Sequence, residues 1–215
     1  MNEPNLPAHA ETAKRGLRVT VDEIMARLSA LQDDLESQFA ERRKAMSVIY
    51  KDRRAVFDDT VRALHKSFRL GIPPYVLRAS LLVVLTMPFI LAVIVPLLLL
   101  DLFVSVYQAV CFPVYGLKKV PRGDFIVFDR EQLGYLNAIE KLNCGYCSYA
   151  NGLLAWAREV AGRTESYWCP LKHARRLSGM HAHYPAFADF GDGKGWREKM
   201  DATSFRQSAG EPKQG

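Results

Sequence analysis

Four cysteines among 215 residues are too few to staple a disulfide scaffold, and three of them fall in one tight pattern. Charge is nearly missing from Ala79 to Gly116, where Asp101 is the single formally charged residue, and that excludes ordinary water-soluble packing for this stretch. Met1 to Arg27 holds no uninterrupted apolar stretch of signal-peptide length, so insertion into a membrane is expected to use the internal segment. There is no glycine-rich phosphate loop, serine nucleophile motif or dinucleotide fingerprint, and no Glu-x-x-His pair of the kind that holds two irons in a helical bundle. The Asp189 to Gly195 stretch lacks the ligand order of a calcium hand and reads as a turn. No catalytic residue is assigned, and no internal repeat is visible.

Positive charge is what the chain has in excess, with a formal net charge of +6 and a pI near 9.2. Much of it flanks the apolar segment, so anionic lipid headgroups are expected as its partner and nucleic acid is not. Val21, Ile24, Leu28, Leu31 and Leu35 recur at alternating three- and four-residue steps, which predicts one stripe of an amphipathic helix. Thr20 and Glu23 are spaced as in a capping box. The heptad run is short, so a coiled coil and homo-oligomer through this helix are one option. The stripe continues less regularly through Phe39, Met46, Ile49, Val56, Phe57, Val61, Leu64 and Phe68, predicting one long helix or two broken ones up to Gly71. Between Glu41 and Leu70 nine Lys/Arg stand against four acids, a basic face suited to a membrane surface.

As helix, the segment from Ala79 to Gly116 would be roughly 55 Å long against a hydrocarbon core of about 30 Å. Two solutions follow. One is a transmembrane hairpin turning near Pro96 to Asp101, with Asp101 near the far interface; the other is one span to about Leu100 followed by an interfacial amphipathic helix. Arg62, Lys66, Arg69 and Arg78 before the segment and Lys118, Lys119 and Arg122 after it favour the hairpin, with both termini cytoplasmic. Pro88 and Pro96 kink either version, and Tyr75, Tyr107 and Tyr115 read as interface anchors.

Beyond the membrane, Asp124 to Asp129 reads as a short strand or link, Arg130 to Leu142 as a helix, Tyr149 to Val160 as a second, and a third is expected from Pro170. Cys144, Cys147, Cys169 and His173 spell C-x2-C-x21-C-x3-H. Two local ligand pairs separated by one helix can meet around a tetrahedral ion, and three thiolates with one imidazole suit a closed structural Zn2+ site. Such a metal would also stabilise a small module. The rival readings are an iron-sulfur cluster, a reactive C-x2-C dithiol, and cysteines that merely pack as small apolar residues. Glu140, Glu159 and Glu165 read as helix-surface carboxylates, with Glu140 able to pair with Arg163 or support a metal ligand; His181 and His183 read as exposed residues or an accessory site. Tyr146, Tyr149, Trp156, Tyr167 and Trp168 are expected in the core.

The stretch holding Asp129-Arg130, Leu136-Asn137, Glu140-Lys141, Cys144 to Gly152, Arg163 to Glu165 and Tyr167 to Ala174 resembles a family of uncharacterised bacterial inner-membrane proteins with a C-x2-C and W-C-P-x-K-H motif. The resemblance covers roughly residues 75 to 195 and implies the bacterial cytoplasmic membrane, with no activity to carry over. The expected organisation is an all-α membrane protein. It comprises a disordered lead-in (1–20), an amphipathic basic helical region (21–70), a transmembrane segment (71–117), a helical Cys3His module (118–200) and a disordered tail (201–215). The expected role is a scaffold, assembly or regulatory subunit for a membrane protein partner, with a membrane redox protein as the alternative.

Overall fold

Residues 8–18 are rich in Ala, Glu, Lys, Arg and Leu, good helix formers, and helix α1 (Ala8–Ala45) accordingly begins well before the expected start near Thr20. The computed structural model describes the backbone of residues 8–45, 48–51 and 54–202 and the side chains of 23–44 and 57–202. The tail expected at 201–215 lies almost wholly outside the described residues, as do the first seven residues of the lead-in. The chain forms two units, Met1–Ser67 and Phe68–Gly215.

In the first unit the expected helical run to Gly71 is interrupted. Strands β1 (Val48–Lys51) and β2 (Arg54–Phe57) pair antiparallel, Val48 opposite Phe57 and Lys51 opposite Arg54. The reason is local composition: Val48-Ile49-Tyr50 and Val56-Phe57 are β-branched and aromatic, residues that suit a pleated strand better than a helix. Asp58 then accepts the Asp59 backbone N–H through its side chain, and helix α2 (Asp59–Ser67) follows.

The second unit opens with α3 (Ile72–Arg78), whose first turn carries Pro73 and Pro74 where no intrahelical donor is needed. Helices α4 (Leu81–Ala92) and α5 (Ile94–Tyr115) come next. They are one apolar run interrupted at Val93, which keeps right-handed helical dihedrals (φ −62°, ψ −18°). Pro96 has no N–H for the Ala92 carbonyl, and the chain tightens there so that the Val93 N–H bonds back to Ile90. The residues expected to turn a hairpin, Pro96 to Asp101, lie instead inside α5. A hairpin turning there is therefore not formed, and the argument that placed both termini on one side loses its turn. Leu81–Tyr115 is one helical stretch long and apolar enough to cross a membrane.

Gly116 (φ 67°) ends α5 in the left-handed conformation, and the chain runs back through residues 117–137 before α6 (Ala138–Trp168). Contacts of α6 with the end of α4 and with α5 rise in number together: Ile90 of α4 with Tyr146, then Asp101 with Tyr149, Tyr107 with Thr164 and Tyr115 with Tyr167 of α5 and α6. The two helices are therefore parallel, and the returning segment lies along them in the opposite direction. Their shared core is Leu97, Phe112, Val120, Leu153, Trp156 and Val160. The side chain of Gln108 is fastened to the return, accepting the Val120 N–H at 2.8 Å and donating to its carbonyl, which also accepts the Trp156 indole N–H at 3.1 Å. Gly152 marks where the return crosses α6: a Cβ there would lie 2.5 Å from the Phe125 carbonyl oxygen.

One helix thus replaces the two expected between Arg130 and Val160. Its core-facing stripe runs through the half-buried Tyr149 and the buried Leu153, Trp156 and Val160, and Asn137 with Glu140 forms a full capping box at its start. No third helix starts at Pro170. Cys169 leaves α6 at φ −151°, and Leu171 bridges Ala188 instead. The turn expected at Asp189 to Gly195 holds to Asp192, whose side chain accepts the Gly195 N–H and caps α7 (Gly193–Met200).

Candidate functional site

Three groupings of polar side chains stand on this frame. The first neutralises Asp101. Its carboxylate accepts Arg122 at 2.5 Å, the Tyr149 hydroxyl at 2.8 Å and the Ser105 hydroxyl at 3.3 Å, and it is 13% exposed. The Tyr149 hydroxyl is pushed up to about 12 by burial, by its hydrogen bond to Asp101 and by that charge, with Arg122 opposing. Arg122 also lies over the Trp156 ring. The one charge in the apolar run is therefore a junction between α5, the return and α6.

The second grouping is the expected metal set, and it does not assemble. Cys144 and Cys147 lie near the start of α6 and Cys169 just past its end. Twenty-five residues of helical rise separate Cys144 from Cys169 by about 37 Å. The backbone N–H of His173 donates to the Tyr184 hydroxyl at 2.7 Å, and that hydroxyl reaches the His173 Nδ1 at 3.2 Å. None of the four cysteines is in a disulfide. Among the described residues no three His, Cys, Asp or Glu side chains gather as a metal would need. A continuous α6 is the physical reason: the C-x2-C pair sits in a helix rather than in a knuckle that could fold back towards Cys169. The residues do not fit a single Zn2+ ion or an iron-sulfur cluster in this arrangement.

The third grouping was not legible beforehand. Glu159 and Glu165 project from α6 on either side of Gly162, and the rings of His181 and His183 lie against that glycine. A Cβ at Gly162 would meet the His181 Nδ1 at 2.9 Å and the His183 ring at 3.2 Å. His181 Nε2 is 2.8 Å from Glu165, and His183 Nε2 is 2.9 Å from Glu159, so the proton of each pair belongs on Nε2. Arg163 donates to Glu159 at 2.8 Å and to the Lys118 carbonyl at 2.8 Å. Burial raises the Glu159 carboxyl, but the hydrogen bonds from Arg163 and His183 and their charges outweigh it and hold the group below its ordinary value. The rings of Tyr184 and Phe187 complete the packing around His181. The arrangement clamps residues 181–187 onto α6. Its sequence signals were His181-x-His183 and a glycine midway between two glutamates.

The aromatic expectations divide. Trp156 is core, as expected, whereas Tyr107 and Tyr115 meet α6 rather than standing alone: the Tyr107 hydroxyl is 3.0 Å from that of Thr164, and Tyr115 stacks on Tyr167. Glu140 neither pairs with Arg163 nor supports a cysteine; its carboxylate accepts the Asn137 N–H at 2.8 Å.

Comparison of the chain with protein-family models, with curated proteins and with solved structures found no match. The functional reading rests on the residues and their geometry.

Proposed function

We propose that the chain is a bilayer-anchored scaffold, with Leu81–Leu100 as its membrane-crossing segment and the α5–α6 module as a non-catalytic platform for a membrane protein partner. One observation carries this: the way exposure changes along the apolar run. No residue of α4 is buried, and Leu81 and Phe89 are each 76% exposed. In α5 one face is buried on α6 and the return, while Phe103, Val106, Val110 and Val114 keep an apolar outer stripe. Twenty residues from Leu81 to Leu100 give about 30 Å of helix, the thickness of a hydrocarbon core. Asp101 follows, paired with Arg122, and the two-faced remainder of α5 suits the interface. The Tyr146 hydroxyl donates to the Ile90 carbonyl at 2.8 Å, beside the Val93 N–H that the same carbonyl accepts, so the first turns of α6 lie along the apolar segment at its break.

The test is extraction of the full chain from cell membranes. Retention through alkaline carbonate and release by detergent are expected; release by carbonate or salt alone would overturn the reading.

A second reading is favoured by the placement of Cys144 and Cys147 three residues apart on α6. Helix geometry sets their Cα atoms about 5 Å apart, within the span of a disulfide. Oxidation would join the two sulfurs, releasing two protons and passing two electrons to a disulfide or quinone acceptor. Incubation with oxidised glutathione followed by thiol counting decides it: an intramolecular disulfide supports the redox reading, and four alkylatable thiols sink it.

A further inference from the structure

The apolar face of α1 has no cover among the described residues. Ile24, Leu28, Leu31 and Leu35 are each about half exposed or more, with Met25 and Phe39 beside them. A seam of this spacing on a helix of 38 residues is built to be covered.

We infer that a second copy of this chain covers it, with the two α1 helices antiparallel. The argument is the charge pattern beside the seam. Taking Leu28 and Leu35 as a positions and Ile24 and Leu31 as d positions puts Arg27 and Asp34 at successive g positions and Met25 and Gln32 at e. In a parallel pair, g faces e of the partner. Arg27 would then meet Gln32 and Asp34 would meet Phe39, with no opposite charges opposed. In an antiparallel pair g faces g and e faces e. Sliding the helices until Ile24 lies against Leu35, and Leu28 against Leu31, gives four consecutive wholly apolar layers. The same register sets Arg27 against Asp34 on both sides of the two-fold axis, and Met25 against Gln32. The intrachain contacts of these two charges are exposed helix-surface ones, Arg27 with Glu23 at 2.7 Å and Asp34 with Gln38 at 3.1 Å, and yield readily. Moving the register by one heptad one way opposes Asp34 to Asp34 and buries Gln38 against Leu28; moving it the other way keeps apolar layers, with Ile24 against Leu28 and Val21 against Leu31, but opposes Arg27 to Arg27. The apolar seam and the charges agree in one arrangement. This inference rests on α1 alone and is independent of the membrane reading, so either can fail without the other.

The test is sedimentation equilibrium of the full chain in mild detergent, with circular dichroism to check that each variant keeps its helix. The wild type is expected to dimerise reversibly. Arg27→Asp and Asp34→Arg each replace two attractions with two repulsions and should each weaken the dimer about tenfold. The double variant restores opposite charges in exchanged positions and should return dimerisation close to wild type. Leu28→Lys with Leu31→Lys should abolish it. A helical wild type that stays monomeric overturns the proposal. Single charge reversals without effect, or a strengthened dimer with Asp34→Arg, overturn the antiparallel register.

Discussion

Helices α4 and α5 are cut from one apolar run, yet α4 buries nothing while α5 buries Leu97, Gln108 and Phe112, the last fully. Both are dominated by Leu, Val, Ile and Phe. What separates them lies outside the run. The return segment brings Val120, Phe125 and Ile126, and α6 brings Leu153, Trp156 and Val160, to one side of α5 only. Hydropathy measures what a helix would gain by leaving water; it does not say whether protein or lipid receives it. The polar residues of α5 do carry that information. Asp101 and Gln108 fall on the covered side, where Arg122, Tyr149 and the backbone of Val120 satisfy them. In lipid the same groups would be left without partners.

The comparison breaks most sharply if the two helices answer differently to substitution. Leu85→Arg with Phe89→Arg places two cations on exposed positions of α4, at a cost of about 5–7 kcal/mol if these face hydrocarbon near mid-bilayer. Membrane sedimentation should collapse. Retention of the variant in the carbonate-washed pellet would remove the distinction between the helices. Phe112→Ala does the converse. It opens a cavity in the α5–α6 core and should cost about 3–5 kcal/mol of module stability, seen in denaturant titration, with membrane attachment unchanged.

How far the sequence spoke follows the same division. The apolar run, its proline break and the helical character of the module are local properties, carried by composition and spacing. The single α6 was also locally written, in the Asn137-x-x-Glu140 capping box and the stripe at Tyr149, Leu153, Trp156 and Val160. The C-x2-C spacing suggested a knuckle, but spacing gives the order of ligands and not their distance, and an unbroken helix sets that distance. The hairpin at Pro96 to Asp101 rested on counting charges on both flanks. That count treated Arg122 as a topology signal, whereas its role in the fold is to pair with Asp101, twenty-one residues away. The clamp of Glu159 and Glu165 on His183 and His181 needs loop residues to return to α6, and a single sequence carries little sign of such long-range pairing. The β1–β2 hairpin shows local β preference prevailing over an irregular helical stripe.

A smaller effect sharpens where the covered side begins. Gly152→Ala sets a methyl group 2.5 Å from the Phe125 carbonyl and 2.9 Å from the Ile126 Cα, both main-chain atoms that cannot rotate aside. The return must shift, at a cost of about 1–3 kcal/mol. Loss should appear as faster hydrogen exchange in residues 117–128, with α4 unaffected. An unchanged exchange pattern would mean that the return does not hold α5 as described.

The smallest expected effect concerns acid, and it should also respect the division. Glu159 has its carboxyl held below the ordinary value while it faces Arg163 on its own helix and His183 from the loop. A depressed carboxyl adds stability that is fully present above the unfolded pKa, near 4.5, and is lost as pH falls through the lower folded value. Acidification through that window should therefore loosen residues 181–187 from α6 before the α5–α6 core opens. Glu159→Gln should flatten the dependence while lowering stability at neutral pH, because the neutral amide forgoes the charge-assisted bonds to Arg163 and His183. Hydrogen exchange of the loop, followed against pH in wild type and variant, measures both, and the membrane attachment proposed for α4 should stay constant across the titration, since no group on α4 titrates.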